Sequence, residues 1–263
     1  MQKNSSRARI LFEQHHGRKP FTPFSGADVI ENVADAYAIQ TALVEFELAH
    51  LDIAIAIAGY KIGLTSPRMQ ALLNIDSPIA GVVFGNRIHH SNVEIARRDY
   101  VNLGIECEIA VRLGRDLAPQ SEQFDFASVA SAVDAVCPAF ELVDDRSADY
   151  AITDIGSLIA DNSWNAGVVL GEWQTQWSDL DKLEGIVSRN GEVLDRGRGA
   201  DVLGHPFIAL QWLANHLRTG TRGLKIGDII ATGSIVPTRV PTTDETCSFV
   251  AGELGSVTVV IKD

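Results

Sequence analysis

Only three cysteines, Cys107, Cys137 and Cys247, occur in the 263 residues. Their odd number and the lack of any CxxC spacing exclude a disulfide framework and a zinc knuckle, and a reducing compartment is expected. Positive charge is scarce as well, with 22 Lys and Arg against 34 Asp and Glu, a formal net charge of −12. That balance argues against nucleic acid or an anionic membrane as the main partner. It leaves room for a small anion in a pocket, where a bound cation or a few local bases reverse the field. Long apolar runs are missing too: the longest, Ile53 to Gly59 (IAIAIAG), is far short of the ~20 residues needed to span a bilayer. The N-terminal stretch MQKNSSRARILFEQHHGRKP has basic residues but no apolar segment of signal-peptide length. A cytoplasmic protein is the resulting expectation. What is present, 46% hydrophobic and 21% charged residues, suits a compact globular chain. Its length corresponds to one or two domains.

Between Ala27 and His50, residues Val29, Val33, Tyr37, Ile39, Leu43, Val44 and Phe46 recur at near-helical spacing and predict an amphipathic helix. The preceding KPFTPFSG is a loop, with Ser25 or Asp28 available as the cap. A boundary near residue 60 separates this helical region, 1–60, from 61–263. Beyond it come short apolar segments punctuated by glycine, among them GYKIGLT, AGVVFG, GIECEIAVRLG, NAGVVLG and GDIIATGS, which predict a mostly β region. Two further helices are expected, at His205 to Leu217 and at Phe126 to Val136. The Asn190-Gly191 pair predicts a tight hairpin. No internal repeat is visible.

The segment Gly104 to Leu113, GIECEIAVRL, is the most informative. As a strand it sets Ile105, Cys107 and Ile109 on one face and Glu106, Glu108 and Ala110 on the other, the two carboxylates about 6.5–7 Å apart at the backbone. Buried together, they repel and carry a desolvation cost of several kcal/mol each, about enough to require a cation between them. Mg²⁺ or Mn²⁺, hard ions that accept carboxylate oxygens, suit that place. On a solvated face the same pair needs no ion, and spacing alone leaves both readings open. Glu141, isolated in the apolar run PAFELV, is either a third ligand from a second strand or a charged edge position. Asp144, Asp145 and Arg146, which follow, read as a solvated turn.

Lys61, between glycines in GYKIGLTS, reads first as a snorkelling surface residue; a role toward a substrate carboxylate or in proton transfer is the second reading. His205, beside Pro206 at a helix entrance, is a general acid or base or a structural cap. His15, His16, His89 and His90 have no ligand spacing and receive no role. At the end of GDIIATGS, the backbone N–H groups and hydroxyls of Thr232, Gly233 and Ser234 offer an anion site, although TGS is also an ordinary turn.

Six ordered segments, KIGLTS (61–66), GIECEIAVRLGRDL (104–117), PAFELVDDR (138–146), IADNSW (159–164), RGRGADVLGHP (196–206) and LKIGDIIATGS (224–234), together resemble the fumarylacetoacetate hydrolase superfamily. Within it they resemble the 2-keto-4-pentenoate hydratase and 4-oxalocrotonate decarboxylase branch of aromatic meta-cleavage pathways. The resemblance runs from DAYAIQ (35–40) to the C-terminal strand. It implies an α+β fold, a mixed β-sandwich roll with a smaller N-terminal α-containing region, and a homo-oligomer. It implies Glu106, Glu108 and Glu141 as Mg²⁺ or Mn²⁺ ligands, Lys61 as a catalytic or substrate-orienting base, and Leu64 and Thr232 to Ser234 as part of the substrate site. The implied substrate is a small 2-oxo acid or its dienol. Hydratases of this branch resemble one another in an acid after the proline of a PDxG turn, where this chain reads Asp76-Ser77-Pro78-Ile79-Ala80-Gly81. Asp76, with His205, remains a candidate for the proton-moving role. Ile79 favours decarboxylation, which needs no water-activating acid. The same residues would also serve acylpyruvate hydrolysis, or a non-catalytic binding protein that keeps a metal. Trp164, Phe84 and Val83 are candidates for contact with a weakly charged tail, which core packing explains equally well.

Overall fold

Most of the glycine-punctuated segments form strands, and these join two mixed sheets in the computed structural model, which describes residues 2–50, 56–73 and 75–263. Of the apolar run at 53–59, residues 53–55 lie outside the described residues. The larger sheet has the order β2 (Ile79–Phe84), β1 (Ile57–Gly63), β10 (Ile229–Ser234), β5 (Leu103–Leu113), β6 (Val133–Asp144), β7 (Asn165–Leu170), β3 (Ile88–His90). The smaller has the order β4 (Val93–Ala96), β12 (Ser256–Lys262), β11 (Glu245–Ala251), β8 (Glu184–Arg189), β9 (Glu192–Arg198). Asn190 and Gly191 link β8 to β9 with φ of 51° and 85°, the left-handed pair that a two-residue hairpin requires.

The seven-stranded sheet curls without closing. Its β2 edge comes back toward β7, and Asn162, just ahead of β7, pairs with β2 like a strand residue: its amide accepts the Val82 N–H at 2.7 Å and donates to the Val82 carbonyl at 2.9 Å. The period-two alternation along β5 and β6 then sorts side chains between two environments. On the outer face, Ile105, Cys107, Ile109, Phe140 and Leu142 pack with Phe249, Val257 and Val259 of the second sheet and with Phe207, Leu210 and Leu213 of α6 (Pro206–Leu217). On the inner face, Val83, Ala110, Cys137, Ala139, Val168, Leu170 and Ala231 form one small cluster drawn from both ends of the sheet. The α+β sandwich-like architecture agrees with the expectation from the sequence.

Helices α1 (Gln2–His16), α2 (Val33–His50) and α5 (Ile155–Ala160) pack over one end of the curl, where Ile79, Val143 and Trp164 join their core, and the short α3 (Pro67–Leu72) follows β1. The α1 helix has no clear signal in the sequence, because it is mostly polar and only Ala8 and Leu11 are buried apolar anchors. The helix expected from Ala27 begins instead at Val33. Residues Gly26–Asp28 form a separate 3₁₀ turn, and Ser25 makes no side-chain cap. Asn32 is the cap, its Oδ1 accepting the Asp35 N–H at 2.8 Å while its Nδ2 donates to Asp35 Oδ2 at 2.9 Å. The helix expected over Phe126 to Val136 stops after α4 (Phe126–Ala130), and β-branched Val133 and Val136 go into β6.

The Asp144–Arg146 segment is not a solvated turn. Arg146 and Asp145 are buried, and a buried charge requires partners. Arg146 Nη2 lies 2.6 Å from Asp161 Oδ2, and His15 Nε2 lies 2.5 Å from Asp161 Oδ1, which ties α1 to the end of α5. Asp144 accepts the backbone N–H groups of Val101, Asn102 and Arg146.

His216, in the last turn of α6, stacks on Trp212 at 5.2 Å and meets the Tyr37 ring at 4.3 Å. The side chain keeps an exposed side, but desolvation of the ring against Trp212 and Tyr37 holds its pKa below the ordinary histidine value. The folded state therefore binds this proton less readily than the unfolded chain, and the stability His216 contributes is present above about pH 6.5 and lost as the pH falls below it. Replacing His216 with Phe keeps the ring and removes the proton, so the Tm difference between variant and wild type is expected to widen in the variant's favour from pH 7.5 to 5.5. Thermal melts at the two pH values check this.

Candidate metal centre

Strand register brings the three glutamates together. Glu106 on β5 pairs directly with Glu141 on β6, and Glu108 lies one pair further along the same inner face. One oxygen from each of the three falls within 4.8 Å of the others. Glu108 and Glu141 are fully buried and Glu106 is half-buried, so a solvated face is excluded.

Each carboxylate is held by a named neighbour. The Gly233 N–H donates to Glu108 Oε2 at 2.8 Å, the Asn165 Nδ2 donates to Glu141 Oε1 at 3.0 Å, and the Thr238 hydroxyl donates to Glu106 Oε1. Thr238 is brought there by a two-way backbone pairing between Ile105 and Arg239 at 2.7 and 3.0 Å. Lys61 is not a surface residue: it is 4% exposed, and its Nζ lies 3.3 Å from Glu141 Oε1. The Gly63 position explains the approach, because a Cβ there would come within 3.1 Å of Lys61 Nζ and 3.3 Å of Ile79 Cγ1.

Charge and hydrogen bonding leave a defined deficit. Three carboxylates and one ammonium sum to −2. Burial, joined by the repulsion of Glu141 and Glu106, pushes the Glu108 pKa well above the carboxylate range. Burial also raises Glu141 to about 7, although Lys61 opposes it. For Lys61, burial favours the neutral amine, but Glu141, Glu106 and Glu108 together outweigh it and raise the pKa, keeping the ammonium. Glu108 Oε1 and Glu141 Oε2 are buried without a hydrogen-bond partner. Two orphaned carboxylate oxygens, an all-oxygen donor set and a residual charge of −2 fit a hard divalent cation.

The same face continues past the glutamates to the Gly104–Val143 pair, where a cavity of about 380 Å³ opens. Thr238, which holds Glu106, also lines it. A second cavity of about 400 Å³ shares none of its lining residues, and reaches the cluster through Asn165. Phe84 and Trp164 line this second cavity, whereas Val83 lies in the small core inside the curl.

The sequence profile of the fumarylacetoacetate (FAA) hydrolase C-terminal family matches residues 69–262. The chain belongs to that family. It is 34% identical over 238 residues to 2-keto-4-pentenoate hydratase of Paraburkholderia xenovorans (strain LB400), covering 90% of this chain and 86% of that protein. To 2-oxo-hept-4-ene-1,7-dioate hydratase of Escherichia coli it is 33% identical over 233 residues, covering 86% and 85%. Among solved structures, 4-oxalocrotonate decarboxylase from Pseudomonas putida G7, complexed with magnesium and adipate, superposes with a TM-score of 0.91 at 25% identity, covering 99% and 97% of the two chains.

Within this FAA hydrolase framework, Gly233 is the residue of the TGS turn that touches the glutamates, and the other residues singled out in the sequence have different partners. The Thr232 hydroxyl donates to the Ile109 carbonyl at 2.7 Å, and the Ser234 hydroxyl accepts the Cys107 N–H at 3.1 Å while donating to the Val236 carbonyl at 2.7 Å. Both hydroxyls thus serve the backbone. Gly233, at the irregularity between Ala231 and Ser234, has φ 119° and turns its N–H to Glu108; a Cβ there would sit 2.2 Å from Thr65 Oγ1. His205 caps α6, its Nδ1 accepting the Phe207 N–H at 2.9 Å, with its ring against Phe126 and Phe207. Its described contacts do not reach the glutamates. Asp76 is exposed in a bend, and Ile79, three residues on, is buried and pairs with Gly63 of β1. Leu64 follows Gly63 with φ 55° and packs toward the helical core.

Asn165 and Thr238 escape sequence reasoning: neither has a spacing relation to the glutamates, and both arrive through tertiary pairing. Thr238→Val removes the donor to Glu106, and Mn²⁺ affinity is expected to fall about tenfold, the scale of losing a ligand-orienting hydrogen bond. Calorimetric titration of wild type and variant measures it.

Proposed function

We propose that this chain is a divalent-metal-dependent hydratase acting on a 2-hydroxy-2,4-dienoate or its 2-oxo-enoate tautomer. The observation that carries the reading is the buried Glu106–Glu108–Glu141 cluster with two unpartnered oxygens and Lys61 at its edge. Glu106, Glu108 and Glu141 would hold Mg²⁺ or Mn²⁺. Such an ion supplies Lewis acidity toward the carboxylate and 2-oxygen of a 2-oxo acid. Relatives named as hydratases of 2-keto-4-pentenoate and 2-oxo-hept-4-ene-1,7-dioate support the substrate class.

In this reading Lys61, as an ammonium ion 3.3 Å from Glu141, orients the acid function of the substrate and donates or recovers protons at its oxygen. For 2-hydroxypenta-2,4-dienoate, the enol proton leaves the 2-oxygen and a proton reaches C5. Water then adds its oxygen to C4 and a proton to C3, giving 4-hydroxy-2-oxopentanoate. The Gly233 N–H and Asn165 amide keep Glu108 and Glu141 in place throughout. The three free cysteines are buried, in keeping with a cytoplasmic enzyme. A homo-oligomer completes the reading, on the strength of the family resemblance.

One observation favours a second reaction. Ile79 pairs with Gly63, two residues along β1 from Lys61, and is only 2% exposed, so the position after Pro78 offers no side chain to activate water. Decarboxylation of a vinylogous 3-oxo acid needs none. NMR analysis of products decides between them, with purified protein and Mg²⁺ or Mn²⁺ supplied with 2-hydroxypenta-2,4-dienoate and with 4-oxalocrotonate. A 4-hydroxy-2-oxo acid product is expected. Loss of CO₂ from 4-oxalocrotonate with the dienoate intact establishes the decarboxylase, and inertness toward both retires the catalytic reading.

A further inference from the structure

We infer that the cavity above the Gly104–Val143 pair receives the substrate's tail and excludes a tail carrying a second carboxylate. The inference rests on the proposed 2-oxo acid site and adds its specificity. The position follows from register and from Thr238. Gly104 and Val143 occupy the inner-face step next to Glu106 and Glu141, and Thr238, which packs over Gly104 and donates to Glu106, is also a wall of the cavity. A molecule held by its 2-oxo acid end at the glutamates therefore has this cavity next to it for its tail.

The character of the cavity follows from its walls. Val143, Val240 and the Tyr150 ring supply apolar surface, and among the described residues no lysine or arginine lines it. The two arginines nearest in sequence point elsewhere: Arg146 pairs with Asp161 at 2.6 Å, and Arg239 Nη2 lies 4.0 Å from Glu245. The acidic side chain in the lining is Asp145, which is buried. It accepts the Asn102 amide at 2.8 Å, the Ser147 N–H at 2.8 Å and the Tyr150 hydroxyl at 2.9 Å, the acceptor-only pattern of an ionised carboxylate. A second carboxylate on the substrate would enter a space with an acid and no base, and like charges brought together in a half-buried site disfavour binding strongly. An alkyl or alkenyl tail meets no such opposition.

Binding of two unreactive acids of equal length to Mg²⁺-loaded protein tests this by calorimetry: 2-oxohexanoate against 2-oxohexanedioate. The monoacid is expected to bind at least about tenfold more tightly. Val240→Lys, at a position 47% exposed on the rim, supplies the missing cation and is expected to narrow or reverse the preference. Equal or tighter binding of the diacid to wild type overturns the inference. A diacid preference indifferent to Val240→Lys overturns it too, and points to the separate cavity that Arg87 lines. Failure of both acids to bind also overturns it. A retained monoacid preference in a protein that does not hydrate 2-hydroxypenta-2,4-dienoate keeps the tail assignment and retires the reaction proposed above.

Discussion

Glu106→Gln is expected to reduce metal-dependent turnover by at least about a hundredfold, the scale of losing several kcal/mol of transition-state charge stabilisation. The same variant is expected to hold Mn²⁺ at least about tenfold more weakly, because one anionic ligand becomes neutral. Its metal-free stability should not fall. Glu106 is half-buried and faces Glu141 across the β5–β6 ladder, so removing its charge takes the cluster from −2 to −1 and relieves repulsion that raises both Glu108 and Glu141. The glutamine amide still offers an oxygen to Thr238. Steady-state kinetics, metal analysis and a melt of the EDTA-treated protein separate the effects. Wild-type rate and metal content in the variant would remove Glu106 from the proposed ligand set.

Lys61→Met has the opposite stability signature. Lys61 is the cation paired with Glu141 inside the curl, and its loss leaves three glutamates, formally −3 when all are ionised, with no cation beside them. Removing one partner of a buried ion pair costs about 3–5 kcal/mol. At this chain length that lowers the metal-free Tm by on the order of 10 °C. Added Mn²⁺ is expected to restore part of the loss, since it neutralises the same carboxylates. Turnover in the metal-loaded, folded variant should still fall by about 10²–10⁴, the usual contribution of a positioned proton-transfer group. A metal-free Tm equal to wild type would show that Lys61 does not balance the glutamates. Unchanged turnover would remove it from the proposed chemistry.

Much of this arrangement is legible in the chain, for identifiable reasons. The alternation in GIECEIAVRL decides which residues share a face of β5, and the structure sets Glu106 and Glu108 on the inner one. Glu141 interrupts an apolar run, and such an interruption is costly unless the acid has a partner. Local sequence does not say that Glu141 falls opposite Glu106, because register is a property of the pair of strands. Lys61 illustrates the same limit: its burial depends on β10 and β2 flanking β1 and on the space that Gly63 leaves. Asn32 is hidden as a cap because the apolar periodicity extends upstream of it, although Asn-x-x-Asp is itself a start signal. The Asp144–Arg146 segment reads as a surface turn, since nothing local foretells that Asp161 and His15 close over it.

The central claim is that one divalent ion binds where Glu106, Glu108 and Glu141 converge. Titrating metal-stripped protein with Mn²⁺ under electron paramagnetic resonance, beside the Glu108→Gln/Glu141→Gln double variant, tests it most directly. One bound Mn²⁺ per wild-type chain and none of comparable affinity in the variant is the predicted result; equal binding by the two proteins, or none by wild type, would contradict it.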